Sequence, residues 1–280
     1  MTERPPEPPD GASGPPPGVG RLADLAVSLA RQAGELAVAR RATELSVSTK
    51  SSATDVVTDA DQAVEQFLRA ELAKRRPDDA VLGEEGGSSG SSDARVRWLI
   101  DPIDGTVNFM LGLPQYAVSI AAQLDGVTVA GCVVNPVSGE LFSAVRGGGA
   151  YLGAQRLTGP RAVPLAEAVL ATGFGYDPAR RARQGELVGR LLGRVGNLRR
   201  LGSAALDLCF LAAGRVDLYF EGPLGEWDYA AGLLIAQEAG VATSGLAGRP
   251  AGAAMVAGAH PDTAAEFFRL LEEYGAASLI

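Results

Sequence analysis

Residues 98–109 read WLIDPIDGTVNF: an apolar run, two carboxylates at Asp101 and Asp104, then Gly105 and a segment able to begin a helix. Two carboxylates about 4 Å apart at an effective dielectric near ~20 repel by roughly 4 kcal/mol, a large share of a domain's net stability. Something positive must sit between them: an Arg or Lys, a shared proton, or a metal ion. Pro102 removes a backbone donor and stiffens the turn, and Gly105 lets backbone approach a ligand closely. The segment therefore reads as a holder rather than a solvent-facing turn.

The chain has 280 residues, 46% hydrophobic and 21% charged, enough for one large core or two fused ones. Its net charge of −8 argues against a general nucleic-acid binder. One stretch runs the other way: residues 179–200, ARRARQGELVGRLLGRVGNLRR, carry seven arginines. They read first as the solvated face of a helix burying Leu187, Leu191 and Leu192, and second as an anion or partner contact. Cys132 and Cys209 each lie in an apolar run, which predicts buried thiols rather than a disulfide or a metal pair. No apolar run reaches the roughly 18 residues of a membrane span, and the N-terminus lacks the basic-then-apolar order of a signal peptide. The expectation is a soluble, cytoplasmic protein with no membrane or nucleic-acid partner.

Residues 1–20 are dominated by Pro, Gly and acids and predict a disordered tail. Residues 22–41 show helical spacing and residues 47–50 look extended. Residues 58–61 open a helix through residue 74, with Val64, Phe67, Leu68 and Leu72 on one face. Strand patterns follow at residues 81–82, 96–100, 117–123, 127–134 and 141–145, predicting an antiparallel sheet. From residue 169 strands alternate with helices, the α/β pattern. The expected organisation is an N-terminal α+β half over residues 21–150 that carries most of the metal-binding acids. A C-terminal α/β half follows over residues 151–275, with a crevice where the two meet.

Four acidic elements fall at the ends of predicted elements: TDAD at 58–61, LGEEG at 82–86, DPIDGT at 101–106 and WDYAAG at 227–232. None contains a basic residue. Hard oxygen ligands without His or Cys favour Mg²⁺ over zinc or copper. Each element also has a purely structural reading. Asp61 can cap a helix with Thr58 as N-cap, Glu84 and Glu85 can be solvated loop charges, and Asp228 can be an N-cap or first-turn acid. A helix beginning near Gly105 would offer free N–H groups to a phosphate, and a pair of Mg²⁺ ions would reconcile that phosphate with the acids. The single histidine, His260 in GAHPD, reads as a surface residue at a strand-to-helix turn, which disfavours hydrolysis by a Ser–His or Cys–His pair. The RGGGAYLG segment lacks the Lys-Ser/Thr of a kinase-type phosphate loop and reads as a hairpin turn.

KSSATDVVTDAD (50–61), LGEEGG (82–87), WLIDPIDGTVNF (98–109) and WDYAAGLLIAQEAG (227–240) together resemble the inositol monophosphatase family, in the family's order. The resemblance implies a five-layered α-β-α-β-α sandwich, a homodimer, and a Mg²⁺-dependent, lithium-sensitive phosphatase of a small-molecule phosphate monoester. It implies that Glu84, Asp101 and the Ile103 carbonyl hold one Mg²⁺ and that Asp101, Asp104 and Asp228 hold a second, with a weaker third ion reached from Glu84 through water. Asp61 and Thr106 would activate the attacking water, and the backbone of Gly105 and Thr106 would receive the phosphate. Gly202, Ser203, Ala204 and Glu221 would contact hydroxyls of the alcohol, beside Asp104 and Asp228. Glu226 departs from the pattern and is expected to add an acid near the pocket. Inositol monophosphate leads as substrate; histidinol phosphate, fructose bisphosphate and 3′-phosphoadenosine 5′-phosphate are alternatives, as is a regulatory or binding protein on the same fold.

Overall fold

The computed structural model describes residues 18–42, 46–49 and 56–279. In chain order the elements are α1 (Val19–Arg41), β1 (Val47–Thr49), β2 (Val56–Thr58), α2 (Asp59–Arg75), β3 (Ala80–Gly83), β4 (Gly87–Ser89), β5 (Val96–Asp104), α3 (Thr106–Leu111), β6 (Ala117–Leu124), β7 (Val127–Val134), β8 (Leu141–Val145), β9 (Gly149–Leu152) and β10 (Gln155–Arg156). They continue with β11 (Val169–Thr172), α4 (Pro178–Leu191), β12 (Asn197–Arg199), α5 (Ala204–Ala212), β13 (Leu218–Glu221), α6 (Glu226–Glu238), β14 (Ala242–Ser244), β15 (Val256–Ala259) and α7 (Pro261–Glu273).

β5 shows how the layers arise. Trp98 and Ile100 face one way into a core shared with α1 and α2, while Leu99 faces the other way into a core shared with α5 and α6. A strand covered on both faces must be apolar at consecutive positions, which explains the unbroken WLI run. Its neighbours behave likewise: Val118, Ile120, Cys132 and Val134 meet the first helix pair, and Ala117, Ala121 and Val133 the second. This large sheet has the order β10-β9-β8-β7-β6-β5-β3-β4, and only β3 and β5 run parallel. A second sheet, β12-β11-β13-β15-β14, turns Ala171, Tyr219 and Val256 towards α5 and α6. Its other face, with Leu170, Leu218, Phe220 and Ala257, packs on α4 and α7. The result is five layers, α-β-α-β-α, with the central helix pair shared by both sheets.

Several expectations need correction. Residues 1–17, Lys50 and residues 51–55 lie outside the described residues, but Val19 and Gly20 of the expected tail already belong to α1. Leu192 is 54% exposed rather than buried, because α4 ends at Leu191 and the buried stripe is Gln184, Leu187, Val188 and Leu191. α6 begins at Glu226 with Gly225 as N-cap, so Asp228 stands in the first turn and is not the cap itself. β5 runs through Asp104 instead of stopping at Ile100.

Close approach of α5 and α6 depends on Gly232, where a Cβ would meet Leu208 Cβ at 2.8 Å and the Ala205 carbonyl oxygen at 3.2 Å. Gly232→Val is expected to force these helices apart at a cost of about 1–3 kcal/mol. The measurement is a lowered urea midpoint with an unchanged m-value.

Candidate active site

Asp101 and Asp104 are an odd number of residues apart, so in a regular strand they would face opposite sides of the sheet. They do not, because the β5–β6 register slips between them: Asp101 pairs with Ser119 and Asp104 with Ala117, three steps on β5 against two on β6. Pro102, with no N–H for the ladder, sits inside this irregularity. The extra residue turns both carboxylates into one cleft. Parallel pairing of Gly83 with Ile100 brings Glu84 alongside Asp101. On that same face of the sheet Ser119, the cross-strand partner of Asp101, donates from Oγ to the Trp227 carbonyl at 3.1 Å, fixing the start of α6 where Asp228 stands.

Asp101, Asp104 and Asp228 present ligand oxygens within 4.8 Å of one another. Each commits one oxygen to the protein. Asp101 Oδ1 accepts from the Ile103 N–H at 3.0 Å, and Asp228 Oδ2 from the Gly225 N–H at 2.7 Å. Asp104 Oδ2 accepts from Ser203 Oγ at 2.5 Å and the Ala205 N–H at 2.8 Å, at the favourable N-terminal end of α5. Among the described residues the second oxygen of Asp101 and of Asp228 has no protein donor, the Ala204 N–H adds to the donors around Asp104, and none of the three forms an ion pair. Burial first, then repulsion from Glu84 and the other carboxyls, raises Asp101; burial and then Asp104 raise Asp228. Burial also pushes Asp104 up to about 6, against the pull of Ser203 and Ala205. Of the three ways to separate the acids, an Arg or Lys is therefore excluded. The donor set, three carboxylates with the Ile103 carbonyl and Glu84 beside them and no His or Cys lining the cleft, fits a hard divalent cation.

Asp61 lies behind the cleft wall, wholly buried. Its Oδ2 accepts from the Thr58 N–H at 2.9 Å and Thr58 Oγ1 at 2.5 Å, completing a capping box at the start of α2. Its Oδ1 accepts from Thr106 Oγ1 at 3.1 Å. The capping role and a position in the site thus coexist. Burial pushes Asp61 up to about 6 despite these hydrogen bonds.

The cleft encloses about 450 Å³. Glu84, Asp101, Ile103, Asp104, Gly105 and Thr106 line one wall, and Gly202, Ala204, Glu221 and Asp228 the other. Ser203 does not reach it; its hydroxyl serves Asp104 and accepts from the Leu206 N–H at 3.3 Å. Gly105 and Gly202 have φ values of 95° and 89°, and a Cβ on Gly105 would come within 3.0 Å of the Gln115 and Gly202 carbonyls. Asn108 fastens this corner by donating to the carbonyls of Gln115 (2.6 Å) and Leu201 (2.7 Å). Tyr219 Oη donates to Glu221 Oε2 at 3.1 Å, and burial lifts Glu221 to about 7.

Glu226 does not add an acid to the cleft. As the first residue of α6 it turns to β5 and pairs with Arg97. His260 is the N-cap of α7, its Nδ1 accepting from the Asp262 N–H at 3.1 Å, and it is not among the cleft residues. Both cysteines are free and buried, and burial pushes the Cys132 thiol up to about 12.

Sequence reasoning missed Glu65, whose carboxylate accepts from the N–H groups of Glu85 (2.8 Å) and Gly86 (2.7 Å) and from Arg69 Nε (2.7 Å), bracing the loop that carries Glu84. The signal was available: an acid beside Val64 and one turn from Leu68 on the buried face of α2. Also missed were Phe174, Tyr176 and Trp227 in the cleft wall; Arg180 and Arg200, from the arginine segment that the sequence offered second as an anion contact, line it with them.

Among the described residues no helix is long and apolar enough to cross a membrane. The sequence model of the inositol monophosphatase family matches residues 20–276. The chain is 46% identical over 236 residues to an inositol-1-monophosphatase of Mycobacterium leprae (strain TN), covering 80% of each chain. It is 41% identical over 229 residues to the Nus factor SuhB of Escherichia coli (strain K12), covering 81% of this chain and 86% of that one. The crystal structure of the extragenic suppressor protein suhB of Bartonella henselae superposes with a TM-score of 0.84 at 34% identity, over 90% of this chain and 99% of that one. With that family's model spanning every acid-bearing segment from α2 to α6, the chain belongs to the inositol monophosphatase family.

Proposed function

We propose that this phosphoric monoester hydrolase takes a small polyol phosphate, inositol monophosphate foremost, and works with two Mg²⁺ ions held by Glu84, Asp101, the Ile103 carbonyl, Asp104 and Asp228, with a third reached from Glu84. The carrying observation is the convergence of three carboxylates, Asp101 buried and Asp104 and Asp228 half-buried, with ligand oxygens within 4.8 Å of one another, beside a hydrogen-bonded Thr–Asp pair. Bound Mg²⁺ supplies an acidified water and offsets the charge of the phosphate. The chain's own part is positional. Asp61 Oδ1, ionised at neutral pH, holds the proton of Thr106 Oγ1 and leaves that oxygen free to accept a proton from a water in the cleft. The N–H groups of Gly105 and Thr106 receive phosphate oxygens. Gly202, Ala204 and Glu221 bind alcohol hydroxyls, Glu221 held in place by Tyr219, and Ser203 contributes by fixing Asp104.

The same chemistry on histidinol phosphate, fructose bisphosphate or 3′-phosphoadenosine 5′-phosphate is the alternative. A purely regulatory role, which the name of the E. coli relative raises, is disfavoured because every expected acid is present.

Three outcomes are expected. Phosphate release from a panel of these esters requires Mg²⁺ and is fastest for the inositol phosphate; no release from any of them would remove the proposal. Asp101→Asn lowers kcat at least about 100-fold while melting at or above the wild-type temperature, since it removes a buried repelling charge. In chelator, Asp61 and Asp104 titrate near 6 in the folded state against 3.8 for the ordinary carboxyl. Their contribution to stability is full below about pH 4 and is lost as pH rises through about 6. Mg²⁺ binds the ionised acids, so it raises Tm more near pH ~7.5 than near pH ~5; equal shifts at both would contradict the assignment.

A further inference from the structure

One buried acid beside the cleft takes no part in the cage of acids. Asp207 closes the first turn of α5, wholly buried, and among the described residues neither of its carboxylate oxygens accepts a hydrogen bond or joins an ion pair. The helix start has no donor left for it. The Ala204 and Ala205 N–H groups go to Asp104, the Leu206 N–H goes to Ser203 Oγ, and the Asp207 N–H goes to the Ser203 carbonyl at 2.9 Å. An ionised carboxylate in such a place is costly, and a buried polar group without a partner calls for a physical reason.

Its surroundings decide which form it takes. Burial first, then the charges of Glu221 and Asp104, hold Asp207 well above the usual carboxylate range; Arg200, exposed in the cleft wall, pulls the other way without bonding to it. Tyr219 and Glu221 are two residues apart on β13 and share the face that packs on α5 and α6. Burial, then Glu221 and Asp207, keep the Tyr219 phenol protonated, and its Oη donates to Glu221 Oε2 at 3.1 Å. The Glu221 carboxylate lies over Gly173, where a Cβ would leave it no room. Two acids so placed do not both ionise at neutral pH. Glu221 has the Tyr219 donor and an opening to the cleft, whereas Asp207 has neither, so the proton stays on Asp207. The favourable end of α5 is a weaker influence than burial.

We propose that Asp207 is a positioning residue for the alcohol end of the cleft: a protonated carboxyl whose O–H presents its positive end to Glu221 from α5, as Tyr219 does from β13, favouring the ionised form of Glu221 and turning it to the hydroxyls of the substrate. This rests on the reading above in which Glu221 binds those hydroxyls. Asp207 does not line the cleft, so it acts through Glu221 and not on the substrate. The corner then carries one negative charge rather than two, placed where a polyol reaches it.

The test compares the wild type with Asp207→Asn, Asp207→Leu, Glu221→Gln and the Asp207→Leu/Glu221→Gln double variant on inositol 1-phosphate and on p-nitrophenyl phosphate, whose leaving group bears no further hydroxyl. Asp207→Leu removes the donor and is expected to raise KM for the inositol phosphate about tenfold with kcat largely kept, while p-nitrophenyl phosphate is unaffected. The acid limb of its kcat/KM profile for the inositol phosphate is expected to move to higher pH. Asp207→Asn keeps a donor, so its KM stays within about twofold of the wild type. In the Glu221→Gln background Asp207→Leu adds little, because its effect passes through Glu221. An unchanged KM in Asp207→Leu overturns the proposal, as does an equal loss on both esters, an additive double variant, or an Asp207→Asn variant as impaired as Asp207→Leu. The melting temperature in chelator gives a readout without turnover, and it serves equally if Asp207→Leu does not fold. Asp207 keeps its proton in the folded chain and loses it in the unfolded chain above about pH 4, so its contribution to stability is full below that pH and falls as pH rises. Asp207→Asn is therefore expected to melt above the wild type by a margin that widens from about pH 4 to about pH 8, and a margin independent of pH overturns the proposal. If the wild type releases phosphate from neither ester, the phosphatase reading fails instead, and the melting comparison still judges the proton on Asp207.

Discussion

The slip in register at Pro102 is the constraint on which the site depends. Strand geometry alternates side chains between faces, and a spacing of three would send one acid into the α1–α2 core and the other towards α5 and α6. A proline that cannot join the ladder lets β5 gain one residue on β6, and the alternation is reset between the two acids. Asp104 then meets the N-terminus of α5 and Asp101 meets α6, so the central helix pair is positioned by the same irregularity that builds the acid cluster.

Gathering carboxylates in a buried place raises the free energy of the empty fold, and the surrounding structure limits that rise without cancelling it. Ser203, Ala205, Gly225 and Ile103 each give a donor to an oxygen of an acid, which fixes its orientation without supplying a countercharge. Among the described residues no guanidinium or ammonium is spent on neutralising the cluster. Arg97 is drawn off to Glu226, and Arg69 to Glu65. The cleft keeps a repulsion that a cation relieves, and this is how a stability deficit becomes binding affinity.

Much of this was legible in the sequence because it rests on short-range rules. The short apolar runs of β5 to β8, the Thr58–Asp61 cap and the acids at element ends all follow from local pattern and capping. What escaped depends on contacts distant in sequence. Leu192 fits an apolar pattern, yet the helix stops one residue earlier. Glu226 looks like a pocket acid until Arg97, 129 residues away, claims it. The short strands β4, β9, β10 and β14 carry too few residues for a period to register. The family resemblance places Ser203 among the contacts to the alcohol; as the N-cap of α5 its hydroxyl is instead turned to the helix start and Asp104.

α2 has a second office beyond its place in the outer layer. Asp61 and Glu65 are four residues apart and share its buried face. One reaches Thr106, and the other grips the loop after β3. A single rigid rod thus mounts both the proton acceptor and the arm bearing Glu84. Tilt or sliding of that rod displaces the two in concert, so their mutual alignment survives small shifts of the helix against the sheet, whereas changing the spacing between them would disturb it at once.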